Sequence, residues 1–352
     1  MPPAAEPPEP GFVPAPPLTR DRQSVPSPLA ELVRRQNADG GWPYQRGSSR
    51  VEPTVFALLA LAGQSEGPPA VAAGQGLDWL RASQRLDGGW IPAPGVDEST
   101  WVTALPLLLP PGTLGPNASS AAARWLIHQT GRESSFFYRL RQLVSGSGDA
   151  HPSADGWPWF PGSAAWVIPT AFALLALARV RHAADSQLLR DRLVQGTRFL
   201  LDHRCADGGW NHGAARTLSY SGSSYPEATG LALLALAELP SPVLAQSLVA
   251  AERHLASARS AEAIAWLHLG LRAHHRDPGP WPANIQPRTV CDLALVEIAR
   301  TTGPHSNCVR NSAHCDRISA ISSCSRRTSS SSRPIRSSPA ARLSAGSAAA
   351  PA

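Results

Sequence analysis

The sequence predicts an all-helical repeat array in two concentric layers, on three observations. First, a heptapeptide recurs as Gln36-Asn-Ala-Asp39-Gly40-Gly41-Trp42 and Gln84-Arg-Leu-Asp87-Gly88-Gly89-Trp90. A third copy keeps Asp207-Gly208-Gly209-Trp210 with Arg204 in place of the Gln, Asp155-Gly156-Trp157 reads as a worn copy, and Pro280-Trp281 as the trace of a fifth. Second, each copy is followed by an apolar run built on Ala and Leu. Third, the spacing of these units, roughly 50 residues, is that of arrays whose units cannot bury an apolar face alone.

The segments follow in order along the chain. Residues 1–27 are too rich in proline to pack and read as a disordered leader. Five amphipathic segments, 28–36, 70–84, 117–129, 185–203 and 241–257, repeat apolar residues at helical spacing, as in Leu188, Leu189, Leu193, Phe199 and Leu200. Six others, 53–62, 100–109, 169–181, 227–238, 261–273 and 288–300, are apolar nearly all round. A helix without a polar face is buried on every side, so the second set belongs inside the first. Segment 133–145, with Phe136, Phe137 and Tyr138, reads as an extra helix where the third repeat departs from the pattern. After residue 302 the texture changes to Ser, Arg and Ala without helical periodicity, so 303–352 reads as a disordered tail or an out-of-frame translation. The expected repeat domain is therefore 28–302.

The heptapeptide makes sense as a turn between an outer and an inner helix. Glycine adopts positive φ without strain. The Asp can accept from turn N–H groups, the Trp ring can fill the gap between helices, and the Gln can tie to backbone at a neighbouring helix. Gln36, Asp39, Trp42, Gln84, Asp87, Trp90, Asp155, Trp157, Asp207 and Trp210 are accordingly expected to be structural.

Composition narrows the function classes. The net charge of the 352 residues is +6, but the tail alone carries seven Arg and one acid, which leaves 25 Arg and 25 acids elsewhere. A neutral body argues against nucleic acid as a partner. No apolar run reaches the 18 residues that span a bilayer, and no signal peptide opens the chain. A cytoplasmic location, compatible with peripheral membrane contact, is expected. Five cysteines, three of them in the tail, supply no zinc-type ligand set.

The Gln-x-x-Asp-Gly-Gly-Trp repeats resemble the QW motif of the squalene cyclase and prenyltransferase superfamily, over about residues 28–301. That resemblance implies an α/α toroid, close to (α/α)6, with reactions run at one end of the barrel and an isoprenoid as substrate. Yet the Asp-x-Asp-Asp acid cluster of squalene-hopene cyclases is missing, and Asp97-Glu98-Ser99 stands where prenyltransferases carry a zinc-binding Asp-x-Cys. Neither a metal nor another cofactor is expected.

An acid and a hydroxyl recur where the inner helices start, in Glu52-Pro53-Thr54, Asp97-Glu98-Ser99-Thr100 and Glu227-Ala228-Thr229. The bland account is that these residues cap their helices and oppose the helix dipole. On the functional account Glu52, Asp97, Glu98 and Glu227 converge on one cavity as candidate catalytic acids. Trp101, Trp166, Tyr225 and Trp266 would then line a substrate pocket and offer π faces to a cation. The expected function is acid-initiated cyclisation or transfer of a polyprenyl or triterpenoid substrate. A non-catalytic toroid that binds a lipid or a protein, and a glycan-active (α/α) toroid enzyme, stand as alternatives.

Overall fold

A computed structural model describes residues 27–132, 155–180, 186–213, 216–217 and 220–301. The expected leader, tail and extra helix at 133–145 lie outside the described residues, apart from Ser27 and the edges of the repeat domain.

The protein is an all-α toroid. Its helices are α1 (Pro28–Arg34), α2 (Val51–Leu61), α3 (Gly67–Ala82), α4 (Pro116–Ile127), α5 (Val167–Val180), α6 (Gln187–Asp202), α7 (Pro226–Ala235), α8 (Ala245–Ser257), α9 (Ala261–Ala273) and α10 (Val290–Thr301). Among the described residues strand is confined to two-residue ladders: β1 (Trp157–Pro158) pairs with β2 (Ala165–Trp166), and β3 (Arg216–Thr217) with β4 (Tyr220–Ser221). Helices α2, α5, α7, α9 and α10, together with residues 101–108, form a closed inner ring in which each touches the next and α10 returns to α2. Helices α1, α3, α4, α6 and α8 lie outside.

The apolar helices are buried on all sides. In α2, nine of eleven residues are buried, whereas α3 buries only Ala72, Gly76 and Leu80. Serine starts several helices: Ser27, Ser186 and Ser260 each accept a hydrogen bond from an N–H three residues on. Helices α7 and α9 touch through backbone, because a Cβ on Gly270 would lie 2.4 Å from the Gly230 carbonyl oxygen.

The inner segment expected at 100–109 is not an α-helix. It forms two 3-10 turns, Trp101–Ala104 and Pro106–Leu108. Pro106 has no N–H to give and its ring crowds the preceding turn, which breaks the α-helical bond pattern. The outer segment expected at 241–257 likewise opens with a 3-10 turn, Ser241–Leu244, before α8. The expected 227–238 ends early, at Ala235.

The heptapeptide turns share one bonding scheme. Trp42, Trp90 and Trp210 are fully buried, and each indole Nε1 donates to the carbonyl of the Leu ten residues earlier, at 2.7, 2.9 and 2.6 Å. Each Trp N–H donates to a buried Thr of the following inner segment: Thr54, Thr103 and Thr229. Asp39, Asp87 and Asp207 accept from the N–H two residues on. Gln36 and Gln84 donate to Gly40 and Gly88 within the turn and to Ala72 and Ala118 in the next outer helix. Gly88 requires its residue type twice over: its φ is 90°, and a Cβ would lie 2.7 Å from the Ala121 carbonyl oxygen.

The worn copy is an interrupted turn. Gly131 N–H donates to the Gly156 carbonyl, as Asn37 does to Gly41, and Trp157 Nε1 donates to Leu126 across 31 residues instead of ten. The turn therefore carries 21 additional residues. Asp155 then occupies the place of Gly40, and Arg192 of α6 supplies the missing Gln clamp. Its guanidinium donates to the Asp155 and Gln129 carbonyls and lies 3.9 Å over the Trp157 ring. Trp281 stands 13 residues before the buried Ala294, as Trp90 stands 13 before Thr103, yet among the described residues its Nε1 finds no hydrogen-bond partner.

Candidate functional site at the mouth of the ring

The buried anchors Thr54, Thr103, Thr170 and Thr229 set a common register for the inner segments. Ile264 and Ala294, also fully buried, hold the same place in α9 and α10. Two residues before each anchor stand Glu52, Trp101, Ile168, Glu227, Glu262 and Asp292. Four residues after these come Phe56, Leu105, Phe172, Leu231, Trp266 and Val296, which in the five α-helices is one turn deeper on the same face. Phe56, Phe172 and Trp266 meet across the ring axis, with centroids 6.3, 5.9 and 5.7 Å apart, and Trp101 adds a contact to Phe172 at 5.6 Å. These buried rings form the floor of a mouth. Around the rim the acids occupy the consecutive helices α7, α9, α10 and α2, while Ile168 and Trp101 complete an apolar arc.

Glu262 is a strongly perturbed acid of this rim. Its side chain is exposed at the rim, and Glu52, Asp292 and Glu227 act on it as like charges. Burial first, then these carboxylates, push its pKa up to about 7, against a hydrogen bond with Trp266 that favours the ionised form. Burial also raises Glu52, and the phenol of Tyr44, which donates to Glu52 Oε2, works the other way. Burial and the Glu52 charge keep the Tyr44 phenol protonated. Cys291, one residue from Asp292, is buried beside the same carboxylates, so its thiol stays protonated and is no thiolate ligand or nucleophile.

The four acids expected from sequence separate here. Glu52 and Glu227 stand on the rim and bear on one site. Asp97 and Glu98 are exposed on the loop before residue 101, where the Asp97 carbonyl accepts from Arg85. Among the expected aromatics, Trp266 and Trp101 belong to the floor and its edge. Trp166 sits half-buried in β2 opposite Trp157, and Tyr225 is exposed before α7, 5.0 Å from His212. Sequence reasoning missed Glu262, Asp292, Tyr44, Phe56 and Phe172. The usable signal for Glu262 was its position four residues before Trp266, but Ile264 replaces the Thr and no Asp-Gly-Gly-Trp precedes it. Asp292 plays a second part: its Oδ2 accepts from Arg288 and Thr289 N–H at the start of α10.

A serine, a histidine and an aspartate also meet elsewhere. Ser224 Oγ lies 2.6 Å from His254 Nε2 and 2.7 Å from Asp207 Oδ2. The carboxylate bonds the hydroxyl and not the imidazole, so it does not orient a base. Ser49 and Ser99 bond Asp39 and Asp87 in the same way, which marks Ser224 as part of the repeat turn. Among the described residues no three His, Cys, Asp or Glu side chains are grouped to hold a metal ion, and no helix is long and apolar enough to cross a membrane.

No family model matches the chain, and no curated protein matches it. Solved structures give weak similarities. A protein from Actinoplanes is 21% identical with a TM-score of 0.42, over 78% of this chain and 81% of that one. Cellobiose 2-epimerase from Bacillus thermoamylovorans is 10% identical with a TM-score of 0.47, over 76% and 95%. For ent-copalyl diphosphate synthase from Streptomyces platensis the values are 17% and 0.40, over 78% of this chain and half of that chain. Similarity at this level says nothing about substrate, and the toroid assignment stands on the closed ring of helices itself.

Proposed function

We propose that the mouth is the active site of an enzyme that begins by protonating an isoprenoid chain, with Glu262 as the acid. One observation carries this reading: a carboxyl with its pKa near 7 lies against the indole of a buried aromatic floor. A general acid is most effective when its pKa is close to the working pH, and such groups contribute about 10²–10⁴-fold. The Glu262 O–H would add its proton to one carbon of an alkene, the π pair forming the new C–H bond and the neighbouring carbon becoming cationic. Trp266, Phe172 and Trp101 would face that cation with their π clouds, and the flanking Glu52 and Glu227 carboxylates would stabilise it. A rim carboxylate recovers a proton when the final alkene forms, so the cycle closes without a further reactant. Peripheral contact with a membrane is a natural source for a polyprenyl substrate.

A glycan-active site is the second reading, favoured by several carboxylates facing a half-buried Trp101 on which a sugar ring could stack. Incubation with squalene, polyprenols, polyprenyl diphosphates and cello-oligosaccharides, followed by product analysis, decides between them. A cyclised or transferred isoprenoid that Glu262→Gln makes at least 100-fold more slowly supports the proposal. Turnover of oligosaccharides alone favours the second reading. Absence of any product, with a lipid or a protein retained by the toroid, would make it a binding protein.

A further inference from the structure

We infer that the outer wall of the ring, between α9 and α10, holds a second binding site for a small carboxylate, built on N–H groups of His268, Arg272 and Trp281. Among the described residues, six inner segments are covered by five outer helices. Helix α8 packs between α7 and α9, and α1 between α10 and α2, but residues 274–289, which pass from α9 to α10, form no helix. Trp281 of that stretch lies half-buried against the core, where the other gaps carry a helix. Ile264, His268 and Arg272 follow one another at intervals of four. They therefore share the outward face of α9, turned away from Glu262 and Trp266.

Among the described residues six buried side-chain N or O atoms lack a hydrogen-bond partner, and three of them belong to this gap: His268 Nε2, Arg272 Nε and Trp281 Nε1. Their side chains are in contact. The His268 and Trp281 ring centroids lie 5.4 Å apart, and Arg272 Nη2 lies 3.3 Å from His268 Nδ1. A guanidinium only donates, so Nδ1 accepts and the proton of the neutral imidazole sits on Nε2. Burial, with the Arg272 charge, keeps that ring neutral, its pKa pushed down to about 4. All three orphans are therefore donors. Trp281 cannot bond as the repeat tryptophans do. The carbonyl ten residues earlier, that of Leu271, already accepts from His274 and Arg276 at 3.1 and 3.0 Å.

Three donors without an acceptor select the ligand class. A water that took them would still have hydrogens of its own to place, whereas a carboxylate offers about four lone-pair sites and donates nothing. Burial disfavours the Arg272 charge, and Asp277 supports it without an ion pair. The Arg300 guanidinium stands 5.5 Å over the Trp281 ring. Arg272, Arg300 and Asp277 sum to one positive charge, which a carboxylate balances and a phosphate dianion would overturn. No rim residue takes part, so this site and the proton-donor reading can fail separately.

The test titrates sodium acetate into the full chain, with acetamide as the neutral isostere and sodium chloride at equal ionic strength as controls. In isotope-labelled protein the Trp281 indole N–H resonance, identified by its absence from Trp281→Phe, should move downfield as acetate saturates. At a hundredfold excess over Kd, acetate should raise Tm by about 5 °C. Trp281→Phe and His268→Phe each remove one donor and should weaken acetate binding at least about tenfold. Without ligand, deleting an unpaired buried donor should leave Tm equal to the parent's or higher, where a purely structural role would lower it. Trp281 is half-buried, so Trp281→Phe decides the matter even if His268→Phe does not fold. Acetate that moves neither the indole resonance nor Tm overturns the inference. So does binding of acetamide or chloride as tight as that of acetate, or acetate binding that Trp281→Phe leaves unchanged.

Discussion

Replacing Glu262 with Gln should make the protein less sensitive to rising pH. The folded carboxyl holds its proton up to a pKa of about 7, against an ordinary value of 4.5. The folded state therefore binds this proton more tightly than the unfolded chain does. The associated stability is fully present below pH 4.5 and is lost as pH rises to 7, the reverse of the usual carboxylate case. A shift of that size corresponds to at most about 3.4 kcal/mol. Because water reaches the side chain, screening should reduce the measurable effect to about 1 kcal/mol. Urea unfolding of parent and Glu262→Gln at pH 4.5 and pH 8 reads the difference directly. The parent should lose about 1 kcal/mol more than the variant across that interval. A gap between the two proteins that stays constant with pH would mean that Glu262 titrates alike in the folded and unfolded chain, and the general-acid assignment would fall with it.

Trp90→Ala removes a fully buried ring and orphans the Leu80 carbonyl, and should cost about 3–5 kcal/mol in denaturant unfolding. A variant with the parent's midpoint would refute a packing role for the repeat tryptophans. Gly88→Ala forces a Cβ onto the Ala121 carbonyl at positive φ; it should destabilise by at least about 1 kcal/mol, whereas alanine at the open Gly74 should not. Tyr44→Phe deletes the donor to Glu52 and should raise the Glu52 pKa further, measurable by carboxyl NMR titration. An unchanged titration would show that the phenol does not bond the carboxylate in solution. A protein trimmed to residues 28–302 should melt with the full chain, and failure to fold would show that an end segment completes the toroid.

The all-helical architecture was legible in the sequence because its signals are local. An apolar run such as 169–181 has no polar face to show to water, and only an inner layer accommodates it. Pro106 lies in the sequence too, yet the apolar pattern around it concealed the 3-10 turns, since periodicity reports burial better than hydrogen-bond spacing. Tertiary structure decided what the acids do. Glu52, Glu98 and Glu227 look alike as residues at the start of inner segments, but only the ring's closure through α10 and α2 brings Glu52 and Glu227 to one rim. It also brings Glu262 there, which no repeat motif announced. A raised pKa depends on distances to other charges and on enclosure, and both are properties of neighbours far apart in the chain. Local pattern determined which residues are buried, and the closing of the toroid determined which charged residues face one another.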